Sequence, residues 1–78
     1  MAVWIVTFQA DPPRYEVSRD GQYATGQTIP ERADSLAYWR AAQAIKANVI
    51  RRYDDPEPVF AANSNEPEAV AFAEMLNA

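Results

Sequence analysis

The sequence predicts an α+β fold: a small antiparallel sheet of three to four strands with one long and one short helix packed on it, in the order β-β-β-α-β-α. Three observations carry this expectation. Residues 14–25 alternate in polarity around Asp20-Gly21. Residues 34–53 form a long alanine-rich run with apolar side chains at helical spacing, and residues 58–77 join a short apolar run to a second helical pattern across Asn63-Ser64-Asn65. The 78 residues fit a single domain, 1–78. A domain of this size buries only about 60% of the surface its unfolded chain exposes, so the core is small.

The first strand is read over residues 3–9. Trp4, Val6 and Phe8 share one face and Val3, Ile5 and Thr7 the other, all residue types that favour strands. Asp11-Pro12-Pro13 ends it, because prolines fix φ and remove ladder donors. In Arg14-Tyr15-Glu16-Val17-Ser18-Arg19 the side chains of Tyr15 and Val17 face inward. Asp20-Gly21 suits the positive-φ positions of a type I′ turn, and Gln22-Tyr23-Ala24-Thr25 pairs back. Gly26 is a bulge or a strand end, and Pro30 in Thr28-Ile29-Pro30 forbids a central strand.

The long helix runs from Asp34 or Ser35 to about Tyr53, with Asp34 as N-cap and alanines at 37, 41, 42, 44 and 47. At about 100° per residue, Leu36, Trp39, Ala42, Ile45, Val49, Ile50 and Tyr53 fall in one broad arc, which is expected to pack on the sheet. On that placement, truncating Trp39 to alanine costs about 3–5 kcal/mol. Arg51 and Arg52 suit the negative pole of the helix dipole, and Pro56 and Pro58 prevent continuation. Pro58–Ala62 reads as a short strand, its proline pointing to an edge or a strand start. A closing helix follows from about Glu66 to Asn77, with Asn65 and Glu68 as a capping box and Ala69, Phe72, Ala73 and Leu76 on its apolar face.

Composition restricts the chemistry. The chain has no Cys and no His, so disulfides, thiolate nucleophiles, imidazole bases and zinc-type ligand sets are unavailable to it. Gly21 and Gly26 are the only glycines, which leaves no phosphate-cradling loop. Asp54, Asp55 and Glu57 cluster, but in a proline-flanked loop with neither the cleft that acid–base catalysis needs nor the turn glycine of an EF-hand. We therefore expect no enzyme activity, no catalytic residue, no metal and no cofactor. The opening apolar run stops at Thr7, follows Met1 without a basic n-region, and reads as a strand rather than a signal peptide or membrane span. With no cysteine, the cytoplasm is the expected compartment.

Charge is polarised. Net charge is −4, yet residues 1–53 hold seven basic and five acidic side chains, whereas residues 54–78 hold Asp54, Asp55, Glu57, Glu66, Glu68 and Glu74 with no Lys or Arg. Such an end is repelled by phosphate and attracted to basic surfaces. Asp54, Asp55, Glu57, Glu66 and Glu68 are candidate protein-binding residues, and Tyr15 and Tyr23, with Tyr38, are aromatics suited to anchoring an interface. Direct nucleic-acid contact through Arg40, Lys46, Arg51 and Arg52 is the second reading, and a structural homodimer through a sheet edge the third.

A compact, cysteine-free, acidic, single α+β domain without catalytic inventory resembles the small phage-encoded inhibitors of bacterial defence, the anti-CRISPR proteins above all. The resemblance is one of format, covering class and size, and carries no signature residue. It implies a non-catalytic inhibitor in the host cytoplasm that binds a CRISPR–Cas effector complex and blocks DNA binding or nuclease recruitment. The partner surface would then be basic, with the five candidate acids standing where DNA would lie.

Overall fold

The computed structural model describes residues 3–10, 13–24 and 35–78, with backbone only at Ala10 and Pro13. The expected break at Asp11-Pro12, the features at Thr25, Gly26 and Thr28-Ile29-Pro30, and the N-cap Asp34 lie outside the described residues. The elements are β1 (Val3–Ala10), β2 (Pro13–Arg19), β3 (Gln22–Tyr23), α1 (Ser35–Arg52), β4 (Val59–Ala62) and α2 (Pro67–Asn77), in the order β-β-β-α-β-α. They form one sheet, in the spatial order β3-β2-β1-β4.

The hairpin forms as its turn chemistry dictates. Asp20 and Gly21 both have positive φ, 50° and 81°, the requirement of a type I′ turn whose twist matches the strands. No atom lies within 4 Å of where a Cβ on Gly21 would stand, so backbone conformation and not space selects glycine there. β1 and β2 pair antiparallel with Val6 opposite Val17 and Phe8 opposite Tyr15. β2 and β3 pair antiparallel with Ser18 opposite Tyr23.

β4 departs from a purely antiparallel sheet. It lies parallel to β1, with Trp4 opposite Phe60, so the sheet is mixed. The cause is the long helix. The 18 residues of α1 extend about 27 Å. That is enough to carry the chain back along the sheet, so that the next strand runs in the direction of β3 and β1.

Both helices cover the same face. The core comprises Trp4, Val6, Tyr15, Val17 and Phe60 from the sheet, Tyr38, Ala42, Ile45 and Val49 from α1, and Ala69, Phe72, Ala73 and Leu76 from α2. Alternation along the strands sends Val3, Ile5, Ser18, Tyr23, Val59 and Ala61 to the opposite face. At the outer edge of β4, the Asn77 side chain bonds the Phe60 backbone. The Phe60 N–H donates to Asn77 Oδ1 at 3.0 Å, and Asn77 Nδ2 donates to the Phe60 carbonyl at 2.8 Å.

The expected helix face needs correction. Tyr38 is buried, while Trp39, Leu36 and Ile50 are exposed by 46%, 57% and 40%. The buried set Tyr38, Ala41, Ala42, Ile45 and Val49 is rotated roughly 70° from the predicted arc. Apolar side chains occupy more than half the circumference of α1, so periodicity alone leaves the facing direction open. The choice is made by the rings already in place. Tyr38 meets Tyr15 and Phe72 edge-on at 6.2 and 5.3 Å between centroids, a favourable aromatic geometry that Trp39 cannot reach from its own angle.

Candidate interaction surfaces

The acidic loop after α1 is partly built into the fold. The Trp4 indole N–H donates to Asp55 Oδ2 at 3.1 Å, and Arg19 Nη1 donates to the same oxygen at 3.3 Å. The Arg19 guanidinium lies 4.7 Å from the centroid of the Trp4 ring, whose other neighbour is Tyr53 at 5.2 Å. Both partners of the Arg19–Asp55 pair are mostly shielded, with side-chain exposures of 22% and 13%. Asp55 therefore closes the loop against β1 and β2. Its neighbours Asp54 and Glu57 are exposed.

Asp54 sits in the left-handed region, with φ 52°. It directly follows the end of α1, where the Tyr53 N–H donates to the Val49 carbonyl at 3.2 Å. Where a helix ends on a left-handed residue, that residue is usually glycine. A carboxylate there also faces the negative pole of the dipole. Both effects oppose the residue that is present.

At the start of α2 a second acidic group forms. The Tyr15 hydroxyl donates to Glu68 Oε2 at 3.0 Å. Tyr15 itself is buried, stacked on Phe72 at 4.4 Å and tilted against Phe8 at 5.2 Å. Burial first, then hydrogen bonding to Tyr38 and to Glu68, pushes its hydroxyl well above the ordinary phenol range. Tyr15 is thus a core residue, not an exposed anchor. The expected capping box also gives way. Glu66 is the N-cap residue and forms no side-chain cap, Pro67 occupies the first turn, and Glu68 reaches Tyr15 instead. Ser64 Oγ accepts the Glu66 N–H at 3.2 Å, and Glu66 is exposed.

The two acidic groups stand at opposite ends of β4. Val59 lies beside Val3 and Ala62 beside Val6, and three strand steps separate the ends by about 10 Å. The five candidate acids therefore fall into two groups, one at each end of β4. Asp54 and Glu57 mark one end and Glu66 the other, while Asp55 and Glu68 hold core aromatics in place. Tyr23 is 58% exposed, on the helix-free face of the sheet, and its carbonyl accepts the Tyr53 hydroxyl at 2.7 Å.

The outward face of α1 is the remaining surface of note. Leu36, Trp39 and Ile50 are exposed, and so are Arg40, Arg51 and Arg52. Lys46 Nζ donates to the Ala78 carbonyl at 3.1 Å. On the flank of α1, a hollow of about 420 Å³ opens between Ala24, Ile45, Asn48, Arg51 and Arg52. Sequence periodicity assigned the apolar part of this face to the core. Its signal was the width of the apolar arc, too broad for one buried stripe.

Among the described residues no group of three or more acids is placed to hold a metal ion, and no helix is long and apolar enough to cross a membrane. Comparison with protein-family models, curated proteins and solved structures finds no match to this chain.

Proposed function

We propose that the chain is a non-catalytic protein-binding inhibitor, of the kind of the phage-encoded anti-CRISPR proteins, which docks on a CRISPR–Cas effector complex and blocks DNA binding or nuclease recruitment. The binding part rests on one observation. Three large apolar side chains, Leu36, Trp39 and Ile50, stand exposed on one helix beside Arg40 and Arg51, and Trp and Arg are among the residue types enriched at interface hot spots. The inhibitor part rests on the resemblance in size, class and composition.

The exposed acids supply a second kind of contact. Asp54 and Glu57 project from one end of the sheet and Glu66 from the other, and either end suits a basic surface. Asp54 adopts a φ of 52°, and non-glycine residues held in this region cluster at functional sites.

The test is target-DNA binding by purified effector complexes of several types, titrated with the protein. The expected result is loss of DNA binding, or of nuclease recruitment, that ends at a fixed stoichiometric ratio. Excess protein without effect on any complex removes the inhibitor reading. Sub-stoichiometric action abolished by a single substitution would replace it with an enzyme. The nucleic-acid reading is favoured by the exposed Arg40, Arg51 and Arg52, and a gel shift of DNA by the protein alone would reveal it.

A further inference from the structure

We propose that the outward face of α1, the seam Leu36, Trp39, Gln43, Lys46 and Ile50 flanked by Arg40 and Arg51, docks an acidic amphipathic helix of a partner protein. This rests on the protein-binding reading above and names its surface and the chemistry of its partner. The five seam residues follow one another at steps of three, four, three and four, the spacing that lines up the a and d positions of a helix facing another helix. At 100° per residue they share an arc of about 80°, and they extend about 21 Å along the helix. The buried side of α1 is a separate set, Tyr38, Ala41, Ala42, Ile45 and Val49, so α1 carries two faces of which the sheet and α2 use one.

Charge selects the occupant. The 18 residues of α1 contain Arg40, Lys46, Arg51 and Arg52 and no acid. With a chain charge of −4, the remainder sums to −4 − 4 = −8. An acidic segment is therefore repelled from the rest of the molecule and steered onto this helix, within the roughly 8–10 Å that salt leaves unscreened. A second copy would set four cations against four. A bilayer would dehydrate Gln43 and Lys46 in the middle of the seam. A phosphate backbone would leave Leu36 and Ile50 without apolar counterparts. A helix with apolar residues at both ends of its own stripe, polar residues at the middle and acids opposite Arg40 and Arg51 satisfies every group.

The experiment titrates the full chain into a labelled helical peptide of about 20 residues, with leucines toward the ends of its stripe and glutamates along the middle and flanks. A matched peptide has lysine in place of each glutamate. Fluorescence anisotropy follows the peptide, and Trp39 emission follows the protein, since Trp4 is fully buried. The expected results are saturable binding of the acidic peptide, a blue shift of the exposed-tryptophan emission, and several-fold weaker binding between about 50 and 300 mM salt. The lysine peptide and the variants Leu36→Glu and Trp39→Glu should bind at least about tenfold more weakly. Both positions are solvent-exposed, and unchanged melting curves will show that the variants fold.

Absence of saturable binding, equal binding of the lysine peptide, or indifference to Trp39→Glu overturns the proposal. So does tighter binding to phosphatidylserine vesicles or to a DNA duplex, or a wild-type dimer in sedimentation that Trp39→Glu dissociates. The inhibition assay keeps the two readings apart. Inhibition retained by Trp39→Glu without peptide binding sinks this surface alone, whereas peptide binding without inhibition sinks the inhibitor reading alone.

Discussion

The carboxamide of Asn77 stands where a neighbouring strand would, accepting the Phe60 N–H and donating to the Phe60 carbonyl at 3.0 and 2.8 Å. The last turn of α2 thereby closes the outer edge of β4, the side on which an added strand would pair. Asn77→Ala leaves both Phe60 groups without this partner. It should lower stability by about 1–2 kcal/mol in urea unfolding and raise self-association in sedimentation. A strictly monomeric Asn77→Ala variant of unchanged stability would show that the edge is protected by something else.

The indole–carboxylate–guanidinium cluster of Trp4, Asp55 and Arg19 makes the loop after α1 a structural element. Its Arg19–Asp55 pair is mostly shielded, at 22% and 13% side-chain exposure. Asp55→Ala leaves the Trp4 N–H without its acceptor and the shielded Arg19 guanidinium without its carboxylate, with only Gln22 and the Trp4 ring beside it, and should cost about 2 kcal/mol, less than a fully buried pair because water still screens it. A double-mutant cycle with Arg19→Ala measures the coupling. Stability unchanged in both single variants would refute the assignment.

One residue along, the opposite sign is expected. Asp54 has φ 52° at the end of α1, so Asp54→Gly removes left-handed strain and a carboxylate at the negative helix pole. The melting midpoint should rise, by a stabilisation of about 1 kcal/mol. If Asp54 also contacts a basic partner surface, the same variant binds that partner less well while melting higher, a split that a purely structural role does not produce.

Adjacent aromatics on α1 should also behave oppositely. Tyr38 is about as buried as any residue in the chain and Trp39 is 46% exposed. Tyr38→Ala should cost about 3–5 kcal/mol, enough to unfold much of a domain this small, while Trp39→Ala stays below about 1 kcal/mol. Chemical denaturation of the two variants decides it, and the reverse order would mean that α1 is rotated from its described position.

Tyr15 ties stability to alkaline pH. Its folded-state hydroxyl holds the proton well above the ordinary value of 10.0 because of burial and its hydrogen bonds to Tyr38 and Glu68. A folded pKa above the unfolded one means the contribution is fully present below about pH 10 and is lost as pH rises beyond it, at up to about 1.4 kcal/mol per pH unit. Unfolding midpoints measured from pH 8 to about pH 11 should therefore fall more steeply for the wild type than for Tyr15→Phe. Equal slopes would place the Tyr15 hydroxyl in solvent.

Most of this fold was legible residue by residue. Asp20-Gly21 prescribes a turn that only positive φ can make, and the prolines at 56 and 58 limit where the long helix can end. The candidate site was far less so. Asp55 and Glu68 read as surface acids because charged side chains are rarely buried, and only their partners 51 and 53 residues away in sequence, Trp4 and Tyr15, draw them inward.

What the sequence determined alone was the local grammar: which segments are strands and helices, their order, and the separation of acids from cations along the chain. Backbone dihedral preferences and the two periodicities act over a few residues, so they can be read from neighbours. Only the tertiary structure decided that β4 joins β1 in parallel, that α1 turns Tyr38 inward and Trp39 outward, and that the acids divide between two ends of the sheet. Those outcomes depend on side chains distant in sequence competing for one small core, where a rotation of α1 by less than one residue step exchanges its buried and exposed aromatics.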